Sequence, residues 1–496
     1  MLTLPALLLA TVVIGLWRFD GRYGQDPYAY FDYGVVVLPH AILHGAGLTP
    51  MYWPLGYPAL VALFALPLGP VPAAGQIVSI GSAGAAVLLT ALYGFDVLID
   101  AGIPQPAARR AAALGATLFD ICGSTLQAAV MVTPEALAVA TMLLSAWTLH
   151  RWMRSTAVGS AWLLASAIAL GWCIVTRWGA LAVAPLWILG LLTGARARGL
   201  HSLRPAVGAA AIVGAIVGTQ FALAWTVPTS PWFHSRSFIG NSGLVSGGGW
   251  SLLHLAARSF ANADGTLHYV LPNGPYYLIA PFLPKNLSPF AAPAVGLGLY
   301  RLLMQRRRVL LALVAPPGAI LVLAAGLSEQ DLRFVLPALP FIALLAGVGA
   351  ASALDALGPV WQRVGWIPIV VLLLGVATVG LYDVHKVVIA ARGNRAVASW
   401  AAARVPAGST LITFELTETI AHSTRLRPVD LALVSPRDLG VLIRARRAFL
   451  LVRLRSMTGQ WRHRLPGENF RVLGRQPGLV PLARLSGYTL YRVGSA

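Results

Sequence analysis

Gly365-Trp366-Ile367-Pro368-Ile369-Val370-Val371-Leu372-Leu373-Leu374-Gly375-Val376-Ala377-Thr378-Val379-Gly380-Leu381-Tyr382 carries no charge and runs into Asp383. At helical rise such a run spans most of the roughly 30 Å of bilayer hydrocarbon, so 365–385 reads as a membrane span. Lipid offers no partner to a bare N–H or C=O, which makes the span a helix. Working outward, apolar runs at 1–17, 73–98, 108–132, 135–152, 157–176, 178–194, 205–227, 286–303, 309–327 and 333–353 read the same way. With the first run they make eleven. The expected fold is therefore a polytopic α-helical membrane protein of about 11 TM helices.

Composition agrees. Residues are 57% hydrophobic and only 11% charged, with a mean hydropathy of +0.71, against about 25% charged in soluble chains. Cys122 and Cys173 lie in apolar runs without partners at ligand spacing, which excludes a disulfide framework and a cysteine zinc site. Met1 to Trp17 lacks a basic leader region and an A-x-A cleavage site, so it is expected to stay as the first span.

Basic residues set the direction. With a cytoplasmic N-terminus, the short inside loops hold Arg109, Arg110, Arg151, Arg154, Arg196, Arg198, Arg204, Arg301, Arg306, Arg307, Arg308 and Arg363. These twelve occupy roughly 50 loop positions, against seven basic residues in roughly 110 positions outside, which is a positive-inside bias. Eleven spans then carry everything after Asp383 to the outer face. The chain divides into a membrane domain, 1–385, with outer loops at 18–72 and 228–285, and a soluble α/β domain, 386–496.

The soluble domain holds 18 of the 37 Lys and Arg with five acids. Strands are expected at 410–414, 431–434, 448–452, 470–473 and 488–493, and Ser435-Pro436 marks a helix start. No G-x-G-x-x-G or P-loop is present, which argues against a nucleotide site. A face solvated near anionic head groups accounts for the charge, and nucleic acid is not an expected partner.

Acids are scarce, so their positions carry information. The first outer loop reads Asp20-Gly21-Arg22-Tyr23-Gly24-Gln25-Asp26-Pro27-Tyr28-Ala29-Tyr30-Phe31-Asp32-Tyr33. Pro27 suits the first position of a helix capped by Asp26. Tyr30, Tyr33, Val37, Leu38 and Ile42 then recur at helical spacing, as on an interfacial helix. Thr133-Pro134-Glu135, Thr176-Arg177 and Ser328-Glu329-Gln330-Asp331-Leu332-Arg333 close other spans on the same outer side. Taken singly each is a cap or an anchor; gathered at one mouth they mark a substrate path. Asp120 lies deep within the 108–132 run and reads as a structural carboxyl. His40 and His44 share a helix face without the Glu of H-E-x-x-H, while His234, His254 and His268 are scattered.

These motifs in this order resemble the GT-C superfamily of membrane glycosyltransferases, in the branch of protein O-mannosyltransferases and the lipid A aminoarabinose transferase. Gly24-Gln25-Asp26-Pro27-Tyr28-Ala29-Tyr30 is similar to the first-loop acidic motif. Tyr52-Trp53-Pro54-Leu55-Gly56-Tyr57-Pro58 is similar to a Tyr-Pro-Pro-Gly-Tyr-Pro stretch. Thr133-Pro134-Glu135, Thr176-Arg177 and Leu332-Arg333-Phe334-Val335-Leu336-Pro337 match later family segments. Where the family often has two adjacent acids, Pro27 follows Asp26, leaving Asp20 and Asp32 as second carboxylates and a divalent metal open; no cofactor is firmly expected.

The resemblance implies a glycosyltransferase of the bacterial inner membrane, moving a hexosyl or pentosyl group from a polyprenyl-phosphate donor to an acceptor glycan, lipid or protein hydroxyl, with inversion. On that reading Asp26 is the base and Glu135 the second carboxylate. Arg333, with Arg177 in reserve, holds the donor phosphate, and Tyr30, Tyr57, Gln330 and Asp32 contact the substrate. A transporter or flippase shares the polar mouths but places charges near the midplane and shows repeats, which this sequence lacks. A non-catalytic scaffold presenting the basic domain is the third reading, and it would tolerate loss of Asp26.

Overall fold

A computed structural model of the chain describes residues 4–45, 47–48, 53–155, 161–198, 203–225, 250–262, 265–305, 307–444, 448–475 and 478–493. Tyr52 and His234 lie outside the described residues. Helices α1 (Leu4–Leu16), α2 (Asp26–Asp32), α3 (Leu38–His44) and α4 (Gly56–Leu68) precede the long α5 (Pro72–Asp100). Then follow α6 (Gln105–Ile121), α7 (Gly123–Val130), α8 (Glu135–Arg154), α9 (Ala161–Thr176), α10 (Ala184–Arg198) and α11 (Leu203–Trp225). A hairpin of β1 (Ser259–Asn262) and β2 (Gly265–His268) leads to α12 (Asn273–Ile279), α13 (Ala292–Gln305), α14 (Arg307–Ala325), α15 (Leu339–Ala356) and α16 (Pro359–Ala402).

Among the described residues five helices are long and apolar enough to cross a membrane, six if one bent pair counts as a span. Several shorter apolar helices accompany them, so the expected eleven is not reached by this measure. The 108–132 run departs most. It is two helices, α6 and α7, meeting at 61° where Cys122 adopts extended backbone. Gly123 stands at the break because a Cβ there would lie 2.9 Å from Lys285 O and 3.0 Å from Gly380 Cα of α16, and its N–H donates to that same Lys285 carbonyl at 2.8 Å. Residues 56–68, expected to be loop, form the apolar helix α4.

The bundle closes around α15, whose apolar window is 83% buried against 11% to 56% for the other candidate spans. Its glycines explain the approach. A Cβ at Gly347 would stand 2.1 Å from Ala111 O of α6, and one at Gly349 would stand 1.9 Å from Ala294 O of α13. Backbone therefore packs on backbone, the way small residues bring membrane helices together.

Helix α16 runs unbroken through the 385/386 division and inserts Val397, Ala398 and Ala401 into the core of the soluble domain beside Leu411, Leu451 and Leu490. The sheet order is β4-β3-β5-β7-β6. Here β3 (Thr410–Thr413) lies parallel to β4 (Arg427–Asp430) and β5 (Ala448–Arg453), while β7 (Tyr488–Val493) lies antiparallel to β5 and to β6 (Val480–Leu485). Helices α17 (Thr417–Ser423), α18 (Pro436–Arg444), α19 (Leu454–Thr458) and α20 (Leu465–Gly474) complete it. Ser435 caps α18 as its sequence suggests, accepting from Asp438 N at 3.1 Å. Two expected strands are wrong. Residues 470–473 are helical within α20, where Asn469 donates to the carbonyls of Leu431 and Val434 at 3.0 and 2.8 Å; those bonds also hold 431–434 as a turn after β4.

Candidate active site

Asp26 is not the cap of α2. It is the first helical residue, Gln25 precedes it in right-handed helical backbone, and no side-chain cap bond forms. Its carboxylate is therefore available, and Oδ2 accepts from Arg333 Nη1 at 2.9 Å. Arg333 is oriented by Asp331, whose Oδ1 accepts from Arg333 N at 2.8 Å and whose Oδ2 accepts from Nε at 2.6 Å. Burial alone would raise the Asp331 carboxyl, but the adjacent guanidinium holds it below the usual carboxylate range. Glu135, buried at the first position of α8, pairs with Arg177, whose guanidinium also lies 5.4 Å from the Phe334 ring. Residues as far as 307 positions apart thus meet in one charge network.

Asp26, Glu135 and Arg333 border a cavity of about 330 Å³ whose wall also includes Tyr23, Gln127 and Lys285. The helix break builds one side of it. Helix α7 contributes Ser124, Gln127 and Ala128 to the wall; Ser124 donates to Asn286 Oδ1 at 2.6 Å, and Asn286 donates to Ala280 O at 2.7 Å, which fixes the loop that carries Lys285. Lys285 Nζ donates to Gln127 Oε1 at 2.5 Å and makes no ion pair among the described residues. Burial pulls its ammonium below the ordinary lysine range. Sequence reasoning passed over Lys285 as the edge of a span. The signal was there, since of 37 basic residues only Lys285 and Lys386 are lysines.

Asp26, Glu135 and Arg333 are therefore brought together in the cavity wall, with Arg177 behind Glu135. The other expected contacts are not wall residues, although Tyr30 and Tyr57 lie close enough to Glu135 to feel its charge. Tyr57 is fully buried, bonded to Gly75 O at 3.1 Å and Ser79 Oγ at 2.9 Å, and Tyr30 packs edge-on against it. Gln330 donates to Leu271 O at 2.7 Å, tying the 250–285 segment to the mouth. Asp120 is buried, outside the wall, and the rings of His40 and His44 lie 4.7 Å apart.

Asp32 and Asp20 dock the soluble domain. Asp32 Oδ2 accepts from His422 Nε2 of α17 at 2.9 Å, His422 stacks on Tyr28 at 4.9 Å, and Asp20 binds both Arg22 and Arg395 of α16 at 2.8 and 2.7 Å. Asp32, Glu418 and His422 place ligating atoms within 4.8 Å of one another, a metal-ligand set by composition. Arg22 opposes that use. It faces His422 Nδ1 at 3.4 Å and can only donate, which puts the ring proton on Nε2, whereas a metal on Nε2 requires it on Nδ1. The contact fits a docking hydrogen bond.

No family model and no curated protein matches the sequence. Solved structures do match in shape. ArnT from Cupriavidus metallidurans bound to undecaprenyl phosphate superposes with a TM-score of 0.59 at 15% identity, covering 99% of this chain and 97% of that one. The archaeal oligosaccharyltransferase AglB from Archaeoglobus fulgidus, in complex with an inhibitory peptide and a dolichol-phosphate, gives 0.55 at 12% identity over 92% of this chain and 69% of that one. The same enzyme in complex with Zn and sulfate gives 0.57 at 11% identity, over 100% and 73%. Both proteins are GT-C superfamily members, and the fold of this chain is the GT-C fold.

Proposed function

We propose that this chain transfers a glycosyl group from a polyprenyl-phosphate donor to an acceptor hydroxyl at the extracytoplasmic face of the membrane. The observation that carries this reading is the meeting of Asp26, Glu135, Arg333 and Lys285 in the wall of one cavity. ArnT with undecaprenyl phosphate and AglB with dolichol-phosphate share the fold and support a lipid-phosphate donor.

In this reaction the acceptor oxygen bonds to the anomeric carbon as the bond from that carbon to the phosphate oxygen breaks, with inversion. Asp26 takes the hydroxyl proton, and the leaving phosphate stays with Lys285 and Arg333. A guanidinium fork and an ammonium suit that charge. Arg333 links the two events. It now gives Nη1 to Asp26 while Asp331 holds Nε, so a phosphate arriving at Nη1 frees the base without releasing the arginine. Glu135 orients the sugar. Asp331 shares Arg333 with Asp26, so three acids meet two guanidinia here, and turnover compared with and without EDTA decides whether a divalent metal completes the balance.

The test is turnover in nanodiscs with a panel of labelled polyprenyl-phosphate sugars, with Asp26→Asn beside the parent. Loss by about 10²–10⁴ with donor binding retained matches removal of a general base. Equal rates refute Asp26 as the base. Movement of labelled lipid between leaflets with no transfer replaces the transferase by a transporter.

A further inference from the structure

Residues 326–331, between α14 and Arg333, form neither helix nor strand, so their backbone groups need partners from other parts of the chain. Helix α12 supplies them. Asn273 and Tyr277 stand four residues apart, on one face of that helix, and both are buried. Asn273 Nδ2 donates to Leu327 O at 2.6 Å. The Tyr277 hydroxyl donates to Glu329 O at 3.1 Å and accepts from Asp331 N at 3.1 Å, which uses both its proton and a lone pair. It thus grips the backbone of the residue whose carboxylate takes Arg333 N and Nε, and Arg333 Nη1 in turn reaches Asp26.

Resting on the transferase reading, we infer that Tyr277 is a positioning residue of the transfer reaction, aiming Arg333 through Asp331 so that the guanidinium serves both the base and the leaving phosphate. Tyr277 is not a wall residue of the cavity. Its effect passes along a chain of hydrogen bonds, from Tyr277 to Asp331, from Asp331 to Arg333, and from Arg333 to Asp26. Without the hydroxyl, Asp331 N loses its acceptor at a half-buried place, and the turn at 329–331 must shift to find another. Asp331 then loosens its hold on Nε, and Arg333 is free to turn its whole fork onto Asp26. That pairing occupies the base and withdraws Nη1 from the phosphate, so transfer slows. The same segment leads to the second cation: Lys285 follows Tyr277 by eight residues, and its neighbour Asn286 is tied to Ala280 O at the end of α12.

The experiment compares Tyr277→Phe, which keeps the buried ring, with Tyr93→Phe, each in the full chain in nanodiscs. Tyr93 is the matched control, because its hydroxyl also belongs to a buried side chain and donates to Ala312 O of α14 at 2.9 Å. Each variant loses a tyrosine hydroxyl, and both are expected to lower the melting temperature alike. Only Tyr277→Phe is expected to lower kcat, by about tenfold, the scale of one hydrogen bond, and to weaken polyprenyl-phosphate binding by about threefold, since Lys285 keeps its share. In an Asp331→Asn background the same change is expected to cost less than about twofold, because the route through Asp331 is already cut. Unchanged kcat in Tyr277→Phe, equal losses of kcat in the two tyrosine variants, or the full loss retained beside Asp331→Asn overturns the inference. A parent that transfers no sugar overturns the transferase reading instead, and titration with polyprenyl phosphate then decides the brace on Arg333. Binding weakened by Tyr277→Phe and not by Tyr93→Phe upholds that brace, and equal binding in all three proteins overturns it.

Discussion

At one end of the bundle Asp96 of α5 accepts from Arg151 of α8 at 2.6 and 3.0 Å and from the Trp147 indole at 2.8 Å. Asp100 beside it meets Arg154 and His150 at 3.1 and 2.9 Å, and Arg110 of α6 pairs with Asp355 of α15. At the other end Asp26, Asp331 and Glu135 meet Arg333 and Arg177. Acids and arginines are equally paired at both ends, so pairing does not identify the site. The surroundings differ. The first set ties neighbouring helices to one another, whereas Asp26, Glu135 and Arg333 of the second line a cavity beside a broken helix and a lysine whose ammonium, among the described residues, bonds to a neutral amide. Charge held for structure is consumed by its partner, while charge held for a ligand keeps a donor or acceptor that a ligand can take over.

Substitutions at matched positions test this contrast. Arg333→Gln strands two carboxylates and removes a phosphate donor, and transfer is expected to fall by about 10²–10³, the scale for one charge-stabilising donor; Arg110→Gln should leave the rate within about twofold. Similar losses in steady-state assays of both would erase the distinction. Lys285→Gln is expected to weaken polyprenyl-phosphate binding by about tenfold, read by titration with labelled lipid, with the melting temperature unchanged. Asp96→Asn should do the reverse, costing about 1–3 kcal/mol of stability through the half-exposed Arg151 it leaves behind, with normal turnover at permissive temperature. Gln330→Ala, which removes one loop tie, should cost only about 1 kcal/mol in thermal unfolding and lower transfer least of all.

Part of the site was legible in the chain. Glu135 stands beside Pro134 and Arg333 opens a span, both at the ends of apolar runs, while Asp26 stands beside Pro27 in a polar, tyrosine-rich loop; with so few acids, an ionisable group at such a place stands out. Tyr57, Gln330 and Asp32 occupy equally conspicuous places, yet they bond to Ser79, Leu271 and His422. Nothing in a one-dimensional pattern separates a polar side chain turned toward a cavity from one turned toward a neighbouring element. Lys285 was missed for a related reason: Pro284-Lys285-Asn286 looks like a span boundary until the break at Cys122 is seen to press against it.

The sequence by itself determined that the chain carries several helices apolar enough to cross a membrane, that a basic α/β region follows them, and that Asp26, Glu135, Arg177 and Arg333 are candidate site residues near the ends of apolar runs. These follow from composition and run length, because hydrocarbon leaves the backbone no alternative. Tertiary structure alone decided where α6 breaks, which residues the cavity borders, and that Arg333 serves two acids at once. Those depend on contacts between segments hundreds of residues apart, made through glycines that let helix backbones touch and through side-chain directions that no local pattern encodes.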